Sequence, residues 1–245
     1  MTEVMLDQGG RCGFVALIGA PNAGKSTLLN ALVGSKIAIV THKVQTTRSR
    51  LVGVAVHDDS QMIFVDTPGI FEAKKRLERA MVAAAWEGAN DADIIIFMVD
   101  ATRKIEDSTR IIAEGLKESS KKAILVLNKI DLVKRDTLLA KTLELNERGE
   151  LKETLMISAT TGNGLAGLQD KIALNLPKGP WLYPADHLTD ITERLLASEI
   201  TREKFFLRFH DELPYATTIE TERWRDLKDG SVRIESSPYV ESDCK

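Results

Sequence analysis

The sequence predicts an α/β fold: a mostly parallel six-stranded sheet flanked by helices, followed by a smaller α+β unit. Three observations carry this prediction. Over the first 176 residues, six short β-branched runs alternate with amphipathic segments. Two of those runs are separated only by "HDDSQ", too short for a crossover helix, so that pair must be antiparallel. After Leu176 the pattern changes: "PKGPWLYPADH" holds three of the chain's seven prolines in eleven residues.

The elements follow in order. "FVALIG", "RLVGVAV", "QMIFVD", "DIIIFMVD", "AILVLNK" and "LMIS" read as strands. Such continuously apolar runs are buried on both faces, as in a parallel sheet covered by helices. Helical patterns fall at 75–89, 107–118, 134–148 and 164–176. The proline-rich stretch reads as a linker. Beyond it, Thr189 or Asp190 is the expected cap of a helix whose apolar stripe runs through Leu188, Ile191, Leu195, Leu196, Ile200 and Leu207. "ATTIETERW" and "SVRIESSPYV" then read as two strands around the turn "DLKDGS". The organisation expected is a tail over 1–10, a first domain over 11–176, a linker over 177–187 and a second unit over 188–245.

Composition narrows the class. With 245 residues, 43% hydrophobic and 28% charged, the chain has enough apolar surface for one full core and a second, smaller unit. The longest apolar stretch, "ADIIIFMV" at 92–99, is well short of the roughly 20 residues that cross a bilayer. No basic-then-apolar leader opens the sequence, so the cytosol is the expected location. Cys12 and Cys244 have no metal-ligand spacing and read as unpaired thiols. His42, His57, His187 and His210 are scattered, and Trp86, Trp181 and Trp224 read as packing residues. The net charge of −3 divides into +1 before Pro177 and −4 from there on, so any nucleic-acid contact must be local.

The chemistry is concentrated in four motifs. Gly19 to Ser26, "GAPNAGKS", fits GxxxxGK[ST] between an apolar strand and a helical segment. Glycine lets consecutive N–H groups of Asn22, Ala23, Gly24, Lys25, Ser26 and Thr27 converge, and the helix dipole adds positive charge at that spot. Such a nest binds phosphate, with Lys25 reaching the β- and γ-phosphates and the Ser26 hydroxyl on Mg²⁺. "DTPG" at 66–69 ends a strand, placing Asp66 to hold Mg²⁺ through water and the Gly69 N–H to meet a γ-phosphate. "NKID" at 128–131 ends another strand. There Asp131 can accept both guanine N–H groups, which adenine would leave unpaired, while Asn128 and the Lys129 stem secure the loop and base. In "ISATTG", the backbone of Ser158 and Ala159 is placed to meet the guanine oxygen.

The ordered series GAPNAGKS, QTTRS, DTPG, NKID and SAT resembles the translation-factor branch of the P-loop GTPases. "WLYPADHLTD", "ASEITREKFF" and "ELPYATTIE" are similar to the linker and second domain of the Era family, a likeness that covers the chain from about residue 11 to its end. The resemblance implies a Mg²⁺-dependent GTPase that binds GTP and GDP and acts in small-subunit (30S) assembly through ribosomal RNA. It implies no DNA partner, and peripheral contact at the inner face of the membrane at most. It also implies that Thr47, rather than its neighbour Thr46, is the switch threonine on Mg²⁺. Where Ras-like relatives carry a water-positioning glutamine, this chain has Ile70. Catalysis is then expected to rest on Lys25, Thr47 and Gly69, with K⁺ on Asn22 a candidate source of transition-state charge. Arg48 and Arg50 are read as solvated.

By the same resemblance, the helix-strand-strand tail opens a type II KH domain, an RNA-binding module built around a GxxG loop. No GxxG occurs after residue 179, so an incomplete KH unit is expected, with Ile219, Trp224, Val232 and Ile234 partly uncovered. Weak or absent RNA binding is the matching expectation for this sequence. The alternative reading is a guanine-nucleotide switch whose tail binds a protein.

Overall fold

The computed structural model describes residues 10–41, 51–73, 76–118, 123–149, 151–209 and 217–240. Its centre is a six-stranded sheet of β1 (Arg11–Gly19), β2 (Leu51–His57), β3 (Ser60–Asp66), β4 (Ile94–Asp100), β5 (Ala123–Asn128) and β6 (Leu151–Met156). The spatial order is β2-β3-β1-β4-β5-β6. Neighbours are parallel except β2 and β3, which pair antiparallel from Leu51↔Asp66 to His57↔Ser60, as the short joint requires. Asp58 in that joint takes φ 48°, a left-handed conformation that aspartate tolerates better than most residues.

Period-two alternation builds a core on each side of the sheet. Val15 and Leu17 of β1 face one side, with α1 (Lys25–Val33) and α5 (Leu165–Asn175) supplying Leu28, Leu29, Leu168 and Ile172. Ala16 and Ile18 face the other, covered by α2 (Arg76–Asp91), α3 (Asp107–Glu118) and α4 (Arg135–Arg148) through Ala85, Ile112, Leu116, Leu138 and Leu145. Trp86 packs against this second core, as expected of a packing residue.

The stretch 177–187 lies along the sheet. Trp181 and Tyr183 pack on Cys12, Val52, Val54 and Ile63 at the β2–β3 end. The wholly buried Gln61 side chain accepts from the N–H groups of Leu182 (2.9 Å) and Tyr183 (3.0 Å) and donates to Tyr183 O (2.7 Å). Farther on, Val54 N–H donates to Leu188 O (2.8 Å) and Thr189 Oγ1 donates to Val52 O (2.6 Å), so this segment covers the free edge of β2.

Three sequence expectations are corrected here. The last strand of the sheet starts at Leu151 and ends at Met156, instead of spanning 155–158. It pairs on one side only, so its half-exposed residues include the polar "KET" that an apolar-run reading passes over. The tail helix, α6 (Glu193–Arg208), begins after Thr192, whose Oγ1 accepts from Leu195 N–H. With Thr192 in the cap position and Thr189 bonded to β2, neither Thr189 nor Asp190 caps the helix. Its buried face is Ser198, Arg202, Glu203 and Phe206, while Leu195 and Leu207 are half-exposed. That face turns inward because it meets the hairpin of β7 (Thr217–Asp226) and β8 (Val232–Val240), where Ser198 Oγ lies 2.8 Å from Thr221 Oγ1. On the hairpin, Ile219 is buried while Val232 and Ile234 are exposed.

No helix among the described residues is long and apolar enough to cross a membrane.

Candidate functional site

The strands β1, β3, β4 and β5 are parallel, so their carboxyl ends lie at one edge of the sheet. That edge gathers the motifs. The loop after β1 turns through Asn22 (φ 64°) and Gly24 (φ 101°) into α1. A Cβ on Gly24 would lie 2.3 Å from Asn128 Nδ2, so both the backbone and the space demand glycine.

Lys25 is buried, and its ammonium donates to Gly19 O (3.1 Å) and Ala20 O (3.2 Å). Burial pushes its pKa down to about 8, partly opposed by the Asp66 carboxylate. Ser26 Oγ donates to Asp66 Oδ2 at 2.7 Å, which brings a hydroxyl and a fully buried carboxylate together. Mg²⁺ suits this pair: it binds through few protein oxygens and keeps waters and phosphates as its other ligands. No cluster of three or more His, Cys, Asp or Glu that could hold a metal occurs among the described residues.

The loop after β3 is tied to the same place. Thr67 Oγ1 donates to Leu17 O (2.8 Å) and Ile70 N–H to Gly19 O (3.1 Å). Gly69 lies against Pro21, where a Cβ would meet Pro21 N at 3.0 Å. The Ile70 side chain is fully buried in the core beneath α2 and α3 and cannot orient water in the pocket.

At the other end, Asn128 staples two loops: its Nδ2 donates to Ala23 O (2.9 Å) and its Oδ1 accepts from Ala159 N–H (3.0 Å). Lys129 (φ 65°) donates to Asn22 O (3.0 Å) and pairs with Asp100. Burial would raise the Asp100 pKa, but hydrogen bonds from Lys129 and Thr102 outweigh it and hold the carboxyl below its ordinary value. Asp131 is exposed in the short 3-10 turn at 130–132.

The structure adds to the sequence reading at three points. The Ser158 N–H donates to Asn163 O (2.9 Å) and the Ala159 N–H to Asn128, so both groups expected to meet a guanine oxygen are engaged within the protein. Asp100 was missed, although an acid closing the third of three adjacent parallel strands is a legible signal. Ile39, Val40 and Thr41 line the same pocket as Lys25 and Gly69, and this short stretch carries no such signal. Thr46, Thr47, Arg48 and Arg50 lie outside the described residues.

Residues 14–129 match the family model described as 50S ribosome-binding GTPase. The chain is 55% identical over 235 residues to the GTPase Era of Sinorhizobium medicae, covering 96% of this chain and 76% of that protein. Among solved structures, a variant of Aquifex aeolicus Era bound to GDP and AlF4⁻ superposes with a TM-score of 0.87 at 37% identity, over 95% of this chain and 80% of that one. Era bound to MgGDPNP and nucleotides 1506–1542 of 16S ribosomal RNA gives 0.88 at 37% identity, over 96% of this chain and 80% of that one.

Proposed function

The chain belongs to the Era family of GTPases, and from that premise we propose a GTP-hydrolysing switch that acts in small ribosomal subunit assembly by binding small-subunit ribosomal RNA. The observation that carries the nucleotide reading is the convergence of four motifs on one sheet edge, with Asn128 bonded to both the phosphate loop and the 158–159 loop. The RNA reading is supported by the relative solved with 16S ribosomal RNA, which this chain matches over 96% of its length. A cytoplasmic location with at most peripheral membrane contact goes with that reading.

Hydrolysis here is positioning and electrostatics. The triphosphate lies over the N–H groups of residues 22–27, with Gly19 opening the loop. The Lys25 ammonium exchanges its carbonyl partners at Gly19 and Ala20 for the β- and γ-phosphates, and the Gly69 N–H donates to the γ-phosphate. Ser26 and Asp66 would hold Mg²⁺, which when bound neutralises phosphate charge; Thr47 is proposed as its further ligand. At the base, Asp131 accepts from guanine, and Lys129 packs beneath it. With Ile70 buried, no side chain at that position orders the attacking water, so turnover by the protein alone is slow.

Asp131→Asn tests the guanine assignment. It replaces an acceptor pair with an amide, so GTP affinity should fall by about tenfold to a hundredfold, and xanthine nucleotides, which present an oxygen there, should gain. Unchanged GTP affinity would refute the role of Asp131. For the missing charge we propose K⁺ ligated by the Asn22 side chain, which lies in the wall of the same pocket. Hydrolysis should be faster in K⁺ than in Na⁺ at equal ionic strength; equal rates would remove K⁺ from the mechanism.

A further inference from the structure

We infer that Glu203 of α6 is a positioning residue for the phosphate pocket, holding the pocket wall from outside the nucleotide-binding sheet. The inference rests on the reading of that pocket as a guanine-nucleotide site.

The wall is the segment after α1. Its first part is fastened to α1 itself: Asn30 Oδ1 accepts from Ile37 N–H (2.9 Å) and Ala38 N–H (2.8 Å), and Asn30 Nδ2 donates to Ala38 O (2.8 Å). Its second part is fastened to the tail helix. Glu203 Oε1 pairs with Lys36 Nζ at 2.7 Å, and Glu203 Oε2 accepts the Val40 N–H at 3.3 Å. Val40 and its neighbours Ile39 and Thr41 line the same pocket as Lys25, Ser26 and Gly69. One carboxylate thus spans both ends of a five-residue stretch, and the end it holds by a backbone bond is the one that faces the phosphates.

The chemistry of Glu203 fits a dedicated clip. The residue is 4% exposed, and a carboxylate so buried is costly unless both oxygens are engaged. Both are. Lys204 adds a second, more distant cation at 3.8 Å. Two neighbours on the buried face of α6 bond within the tail, Arg202 to Glu199 and Ser198 to Thr221, whereas both Glu203 oxygens bond to the segment after α1.

Because the wall stands at the phosphate end, and the base end is built from Asn128 and Asp131, losing the clip should loosen a triphosphate more than a diphosphate. The test is the dissociation rate of fluorescent GDPNP and fluorescent GDP, with Mg²⁺ present, from the wild type and from Glu203→Ala. GDPNP should leave roughly tenfold faster, equivalent to about 1.4 kcal/mol, while GDP stays within about twofold. Lys36→Met alters the exposed end of the pair and should act in the same direction by roughly threefold, adding little in the double variant because both act through one contact. This lysine variant carries the test by itself if Glu203→Ala does not fold. An unchanged GDPNP rate in a folded variant would overturn the inference, and so would equal acceleration of GDP and GDPNP, which signals general loosening. Failure of the wild type to retain either nucleotide would instead overturn the site reading beneath it.

Discussion

Lys25 shows how one side chain can carry both the stability and the ligand chemistry of a site. Its ammonium is buried on two loop carbonyls and its pKa is lowered to about 8 from an ordinary 10.5, with burial the larger cause. Between those two values the unfolded chain holds a proton that the folded, nucleotide-free protein has released, so this residue's contribution to stability rises with pH across that window. Nucleotide binding has the opposite sign, because phosphate needs the charged form. GDP affinity should therefore be flat below pH 8 and fall by about tenfold per unit above it, as a fluorescent-GDP titration from pH 7 to 9.5 would register. A flat profile to pH 9.5 would mean that the bound phosphates do not depend on this ammonium. Asn128 is the complementary case: it is neutral and buried, and it contributes by making two loops into one surface.

Among the elements, the stretch 177–187 departs furthest from its sequence pattern. Three prolines in eleven residues read as a passive connector, yet the segment is bonded at Leu182 and Tyr183 to Gln61 of β3 and packed on the sheet through Trp181 and Tyr183. The Gln61→Leu variant leaves the N–H groups of Leu182 and Tyr183 without their acceptor, at a cost of about 2–4 kcal/mol. For a chain of this size each kcal/mol corresponds to roughly 2–4 °C, so the melting temperature should drop by about 4–15 °C, measurable by circular dichroism. A drop under about 2 °C would show that the strap contributes little. The strands of the central sheet were legible because both their faces are apolar, and α3 falls on the residues that its periodicity predicts, Asp107–Glu118. The edge strand β6 and the buried face of α6 were not. Each pairs apolar with polar residues according to what lies opposite, and a neighbour that is remote in sequence leaves no local period.

At the scale of the whole molecule, the chain after Leu176 is bonded back to the first domain at Gln61 through Leu182 and Tyr183, at the β2 edge through Leu188 and Thr189, and at the pocket wall through Glu203. The net charge of −3 gives the molecule no general attraction for polyanions, so ribosomal RNA recognition must depend on particular contacts. After ultraviolet crosslinking in its own cells, the protein should recover small-subunit ribosomal RNA in excess over large-subunit RNA by about tenfold or more, a ratio expected of local recognition rather than bulk charge. Recovery of a protein partner with no ribosomal RNA enrichment would favour the alternative switch whose tail binds protein.

The sequence alone determined the nucleotide motifs and their order, the antiparallel β2–β3 pair and the change of pattern after Leu176, because each is a local property of spacing, turn length or residue type. Only the tertiary structure decided that Ile70 points into the core, that the N–H groups of Ser158 and Ala159 are engaged, and that Asp100 pairs with Lys129 and Glu203 with Lys36 and Val40. Those outcomes depend on which distant groups compete for the same hydrogen bond or the same buried space, and that competition exists only once the chain has folded.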